Sequence, residues 1–164
     1  IACKTLPEQI SLVPERREEV TTEGGLDVVG NRALVERTVK RLQDSGIVVS
    51  LFLDADRAQL DAAAELGAEA VELHTGQYAL AKPGPDQDRE LAILAEGARQ
   101  IVDAGMRLHA GHGLTYHNVI PVASIDGMQE LNIGHSIIAR AVFVGLERAV
   151  YDMRQLMNSV EFRK

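Results

Sequence analysis

Ile47-Val-Val-Ser-Leu-Phe-Leu53 is followed at once by Asp54-Ala-Asp56 and, after one helical stretch, by Ala70-Val-Glu-Leu-His74. The first run is apolar on both faces, yet far shorter than the ~20 residues of a membrane-spanning helix. It reads as a buried strand. Asp54 and Asp56 are of the type that caps a helix. The helix they open carries Leu60, Ala64 and Leu66 on an apolar line and stops at Gly67. The second run, closed by Thr75-Gly76, is another buried strand. Near-continuous apolar strands joined by a helix form the unit of a parallel sheet.

The same alternation continues outward. Upstream, Gln9 to Val13 reads as a strand stopped by Pro14, and Asn31 to Ser45 as a helix with Leu34, Val35, Val39 and Leu42 on one face, ended by Gly46. Between them, Glu15 to Gly30 is polar, long for a connection in a compact domain, and of the kind that forms lids. Downstream, Pro83-Gly84-Pro85 marks a loop and Arg89 to Ala104 a helix ended by Gly105. Arg107 to Ala110 is a fourth strand. Val119, Val122 and Ile125 belong to a short helical piece distorted by Pro121, and Glu130 to Ile133 is a fifth strand. Ser136 to about Val160 is helical with an interruption near Gly145. Strands beginning near 9, 47, 70, 107 and 130 recur at the length of βα units. The expectation is a single α/β domain with a parallel sheet.

Composition narrows the functions. Hydrophobic residues make 46% and charged residues 25% of 164, which excludes a disordered chain. Lys and Arg number 17 against 24 Asp and Glu, a net charge of −7, so nucleic acid and anionic membranes are poor partners. Backbone N–H groups can still bind phosphate without any net positive charge. The single Cys3 excludes an internal disulfide framework and fits a reducing, cytoplasmic setting. No signal peptide is read at the start. Trp is absent and aromatics are 4%, so Leu, Ile, Val and Ala must build the core. Neither Gly-x-Gly-x-x-Gly nor Gly-x-x-x-x-Gly-Lys occurs, which speaks against a dinucleotide or P-loop site.

The histidines carry the chemistry. His74, His112, His117 and His135 fall at or just beyond the C-terminal ends of strands, the edge at which parallel α/β sheets bind ligands, while His109 lies inside a strand. In Ala110-Gly-His-Gly-Leu-Thr-Tyr-His-Asn118, glycines flank His112. They allow it to project from a tight turn as a general acid or base, or leave it incidental to a glycine-rich turn. A metal held by His109, His112 and His117 is disfavoured, because no carboxylate joins them at a standard spacing. Leu131-Asn-Ile-Gly-His-Ser136 places Gly134 and His135 at a helix start, either a phosphate cradle or an ordinary cap. Glu72, inside the third strand, needs a structural ion pair or faces a polar cavity where it stabilises charge. Asp54 reads as a helix cap rather than an acid. Thr21-Thr22-Glu23-Gly24-Gly25 is a lid with hydroxyls for a ligand, or a solvated turn.

Four segments together resemble the pyridoxine 5′-phosphate synthase family. They are Leu12 to Asp27, His74-Thr-Gly76, Ala110 to Asn118, and Glu130-Leu-Asn-Ile-Gly-His135, in matching order and spacing. The resemblance implies a (β/α)8 barrel that condenses 3-amino-2-oxopropyl phosphate with 1-deoxy-D-xylulose 5-phosphate, releasing phosphate and water, without a metal or organic cofactor. It makes His112 the proton donor and Glu72 the stabiliser of the transition state. It makes Gly113, Gly134 and His135 contacts to the aminoacetone phosphate, Thr21 a contact to the deoxyxylulose phosphate, and Glu15 to Leu26 a mobile loop. It also implies a cytoplasmic homo-octamer.

The chain starts at Ile1, and residues 1–8 read as the tail of a helix. A full barrel takes ~250 residues. The expectation is therefore the last five βα units, lacking the first three strands and the family's catalytic histidine and glutamate upstream. Two other readings share the edge chemistry. One is a phosphosugar isomerase or aldolase, which needs a metal cluster or a Schiff-base lysine, whereas Lys4, Lys40, Lys82 and Lys164 all fall in helices, loops or termini. The other is a non-catalytic fragment that binds phosphate.

Overall fold

The computed structural model describes residues 1–14 and 24–159. Five parallel strands, β1 (Gln9–Leu12), β2 (Val48–Leu53), β3 (Ala70–His74), β4 (Arg107–Gly111) and β5 (Met128–Asn132), lie side by side in chain order. Helices α1 (Ala2–Thr5), α2 (Arg32–Gln43), α3 (Arg57–Glu65), α4 (Gly76–Leu80), α5 (Pro85–Asp103), α6 (Val119–Ala123), α7 (His135–Val144) and α8 (Leu146–Asn158) complete the chain. The α/β class and all five strands match the sequence reading. The interruption at Gly145 separates α7 from α8.

Side-chain alternation divides the sheet into two unlike faces. Val49, Leu51 and Leu53 of β2, Val71 and Leu73 of β3, and Leu108 and Ala110 of β4 join the apolar core. There they meet Val35, Val39 and Leu42 of α2, Leu60 and Ala63 of α3, and Leu94, Ala98 and Ile101 of α5. The intervening residues form the other face. The register sets Ser11 beside Ser50, and Phe52, Glu72 and His109 in one row, with Glu130 next to His109. This second face is polar and carries the chemistry, and with Ser50 on it β2 is not apolar on both sides as first read.

Local chemistry explains where several boundaries differ from expectation. The Pro83-Gly84-Pro85 loop is shorter than read, because Pro85 is the first residue of α5, where its fixed φ and missing N–H cost nothing. Asp86 and Asp88 then favour the positive end of the helix dipole. Only one of the two expected aspartates caps α3: Asp56 accepts from the Gln59 N–H at 3.1 Å. Asp54 is not a cap, and its partners are described below. β5 begins two residues earlier than expected and ends one earlier, at Asn132. The helical turn α4 follows Thr75 directly, where only a turn was expected.

α7 contributes no buried residue, and Val142 and Phe143 on it are 79% and 88% exposed. It is held to α8 by Arg140, whose Nε donates to Asp152 Oδ2 at 3.1 Å. No helix among the described residues is long and apolar enough to cross a membrane.

Candidate active site

The C-terminal ends of β3, β4 and β5 open into one cavity of about 600 Å³, whose walls include Phe52, Glu72, His112, Gly113, Gly134 and His135. Each arrives there for a local reason.

Glu72 sits on the polar face of β3 and is 7% exposed. It forms no ion pair among the described residues, so the structural salt bridge weighed from sequence is absent there. Instead the Ser11 hydroxyl donates to its Oε2 at 3.3 Å. Burial pushes its pKa up, and the Glu130 carboxylate adds to that, while the Ser11 hydroxyl and Asn132 oppose it. The carboxyl lies against Gly111: a Cβ at that position would stand 2.3 Å from Glu72 Oε1.

His112 follows β4 with φ +80°, a left-handed backbone that costs a non-glycine residue about 1–3 kcal/mol. Gly113 continues the turn at φ +73°. The neighbouring strand secures this conformation. The buried Thr75 donates its N–H to the Gly111 carbonyl at 2.9 Å. Its hydroxyl lies 2.8 Å from that carbonyl and 2.5 Å from the His112 carbonyl. Further along, the Asn118 Oδ1 accepts the Thr115 N–H at 2.6 Å and the Asn118 Nδ2 donates to the Gly113 carbonyl at 3.2 Å. The His112 side chain is thereby projected into the cavity, half-buried. Burial lowers its pKa, and His74 and His135 lower it further.

On the opposite wall, Gly134 precedes α7 with no side-chain cap, leaving the first-turn N–H groups of this ten-residue helix turned to the cavity. Gly134 has an ordinary negative φ, and a Cβ there would meet nothing within 4 Å. Its backbone does not demand glycine; the free space in front of the helix end does what a bound group would need.

The family description "Pyridoxal phosphate biosynthesis protein PdxJ" matches residues 1–159. The chain belongs to this family. A relative from Nostoc punctiforme named pyridoxine 5′-phosphate synthase is 57% identical over 158 residues, covering 96% of this chain and 66% of its own length. One of the same name from Rhodopirellula baltica is 58% identical over 160 residues, covering 98% of this chain and 65% of its own length. The chain thus spans just under two thirds of these curated relatives. Among solved structures, the Amycolatopsis orientalis BexX/CysO complex superposes with a TM-score of 0.61 at 19% identity, covering 93% of this chain and 55% of that one. At that identity the likeness speaks to the fold alone.

Of the residues singled out in the sequence, Glu72, His112, Gly113, Gly134 and His135 share the cavity wall. Thr21 and the segment Glu15–Glu23 lie outside the described residues. His117 is exposed and does not line the cavity, and His109 is buried in β4 with Nδ1 3.9 Å from Glu130 Oε1. No lysine is among the cavity-lining residues described. Sequence reasoning missed Ser11, Phe52, Thr75 and Asn132. Ser11 and Phe52 were legible only as alternate positions within strands, and Thr75 only as a neighbour of Gly76.

Proposed function

We propose that this chain supplies the greater part of the active site of a pyridoxine 5′-phosphate synthase, joining 3-amino-2-oxopropyl phosphate to 1-deoxy-D-xylulose 5-phosphate with loss of phosphate and water. The observation that carries this reading is the convergence of Glu72, His112, Gly113, Gly134 and His135 on one cavity. The sequence resemblance assigns all five to that reaction.

The chemistry follows from the groups. An amine adds to a ketone, water and phosphate depart, and a ring closes. Each departing oxygen needs a proton. His112 gives one more readily than a free imidazole because its pKa is lowered. When ionised, the buried Glu72 carboxylate offsets the positive charge that grows on the condensing nitrogen, in surroundings where that attraction exceeds its value in water. The open end of α7, with Gly134 and His135, receives a phosphate through backbone N–H groups. Thr21 contacts the second phosphate in this reading.

The proposal extends to architecture. β1 and β5 are unpaired sheet edges among the described residues. Among the described residues no strand faces the polar side of the sheet, and Phe143 stands 88% exposed. Unpaired edges and uncovered apolar groups invite further structure. We infer that three more parallel strands close this sheet into an eight-stranded barrel that works as a cytoplasmic homo-octamer. The test is complementation. Residues 1–164 are expressed alone and together with the remaining N-terminal third of the Nostoc punctiforme relative, then supplied with both substrates. Pyridoxine 5′-phosphate should appear only with both pieces. Its formation by residues 1–164 alone would refute the partial-barrel reading. Its absence with both pieces in a soluble, folded complex would refute the assigned reaction.

A further inference from the structure

Asp54 and His74 form a pair that the roles assigned above leave unused. Asp54 Oδ1 lies 2.8 Å from His74 Nδ1, and Oδ2 accepts the Gly25 N–H at 2.9 Å. The His74 side chain is 3% exposed, and its Nε2 is buried without a hydrogen-bond partner. The ring stands edge-on to His112, centroids 4.9 Å apart and planes at 66°. Phe52 closes the third side, 5.0 Å from the His74 ring and 6.5 Å from that of His112. Neither Asp54 nor His74 lines the large cavity. Both border a separate one of about 200 Å³ flanked by α4 and α5. His74 is therefore the partition between the two.

We propose that Asp54 and His74 are positioning residues for His112: the carboxylate anchors the His74 ring, and that ring, packed edge-on, fixes the placement of the His112 side chain. This rests on the reading of His112 as proton donor.

The need for such a device is visible in the turn. Thr75 fixes the His112 backbone, but no hydrogen bond holds the His112 ring among the described residues. Its direction depends on what packs beside it, namely His74 and Phe52. The charged and titratable groups facing the pair are few. His112 sees His74 and Glu72 from β3 and His135 from α7. His74 sees Asp54 at the end of β2 and Glu72 on its own strand. Around the smaller cavity stand Asp56, Tyr78 of α4 and Glu90 of α5. The His74 bond holds the Asp54 carboxyl below the usual carboxylate range. A charge on His74 in turn pushes the His112 pKa down.

The sign of the test follows. A proton donor works while protonated, so the rate falls as pH rises through its pKa. Replacing the His74 ring removes one of the influences that lower the His112 pKa, so that pKa rises and the alkaline limb moves upward. In the complete enzyme with both substrates, His74→Gln should lower kcat about 10- to 100-fold. It should leave both KM values within about twofold and shift the alkaline limb of kcat/KM up by about 0.5–1 pH unit. Asp54→Asn, at a half-exposed side chain, should lower kcat with KM unchanged, and Asp54→Glu should recover part of the loss. A wild-type kcat in Asp54→Asn overturns the proposal even if His74→Gln fails to fold. So does a lowered kcat in His74→Gln with the alkaline limb unmoved. His112→Asn separates the two layers. A near-normal kcat there removes the donor reading itself, whereas a drop of about 10²–10⁴-fold with unaffected Asp54 and His74 variants overturns only the positioning role.

Discussion

Gly111→Ala isolates the placement of Glu72 from its chemistry. Gly111 ends β4, paired with His74 on one side and Asn132 on the other. Its φ is not left-handed, so alanine brings no backbone strain. The new methyl would stand 2.3 Å from Glu72 Oε1, 3.0 Å from the Asn132 carbonyl oxygen and 3.1 Å from Asn132 Cβ. Ordinary non-bonded contact needs about 3.5 Å. The nearest atom is the free end of the Glu72 side chain rather than strand backbone, so the carboxyl moves, by about 1 Å. A displacement of that size at a reacting centre costs about 10²-fold in rate, or about 2.7 kcal/mol of activation free energy. The assay is kcat of the complete enzyme beside thermal melting, since the fold should survive. The variant Glu72→Gln should show a comparable or larger loss, and the double variant little beyond it, because both act through one carboxyl. A Gly111→Ala enzyme with kcat within about twofold of wild type and an unchanged melting curve would refute the reasoning, since the crowded carboxyl would then be dispensable.

Two further outcomes test the site from other sides. Gly134→Val fills the open space before α7 and should weaken phosphate-substrate binding without loss of stability, whereas His135→Ala should do less because the main chain supplies the donors; isothermal titration with each substrate, or a soaked crystal with phosphate at another strand end, decides it. Glu72→Gln should also raise stability near neutral pH. The folded Glu72 pKa is raised, so its contribution to stability is present at low pH and lost as pH rises through that pKa. The melting temperature of Glu72→Gln over wild type should therefore climb as pH rises from the ordinary glutamate range through the raised folded pKa, each kcal/mol recovered being worth about 2–4 °C at this size, and a constant difference across that rise would contradict the burial argument.

The strands were legible because a buried parallel strand must be apolar and short, and the helices because their apolar residues recur at helical spacing. Val49, Leu51 and Leu53 announce β2 in any context. The proline at 85 was harder: read as a loop marker, it is in fact the residue that starts α5, and only the register of the following turn separates those uses. His112, Gly113, Gly134 and His135 were legible as candidates because glycines beside histidines at strand ends are chemically conspicuous. Asp54 was misread. A carboxylate between a strand and a helix most often caps, and the spacing to Gln59 served Asp56 as well.

The amino-acid sequence alone carried the alternation of elements, the family and the residue types at the sheet edge, because periodicity and local motifs are short-range properties. Only the tertiary structure decided which face of each strand is polar, and that Ser11 in β1 reaches Glu72 in β3 from 61 positions away. It also decided that Asp54 holds His74 and that Thr75 stabilises the left-handed turn at His112. These are contacts between neighbouring strands whose partners are set by sheet register. Register is an outcome of packing the apolar faces onto α2, α3 and α5, and no local stretch of the chain encodes it.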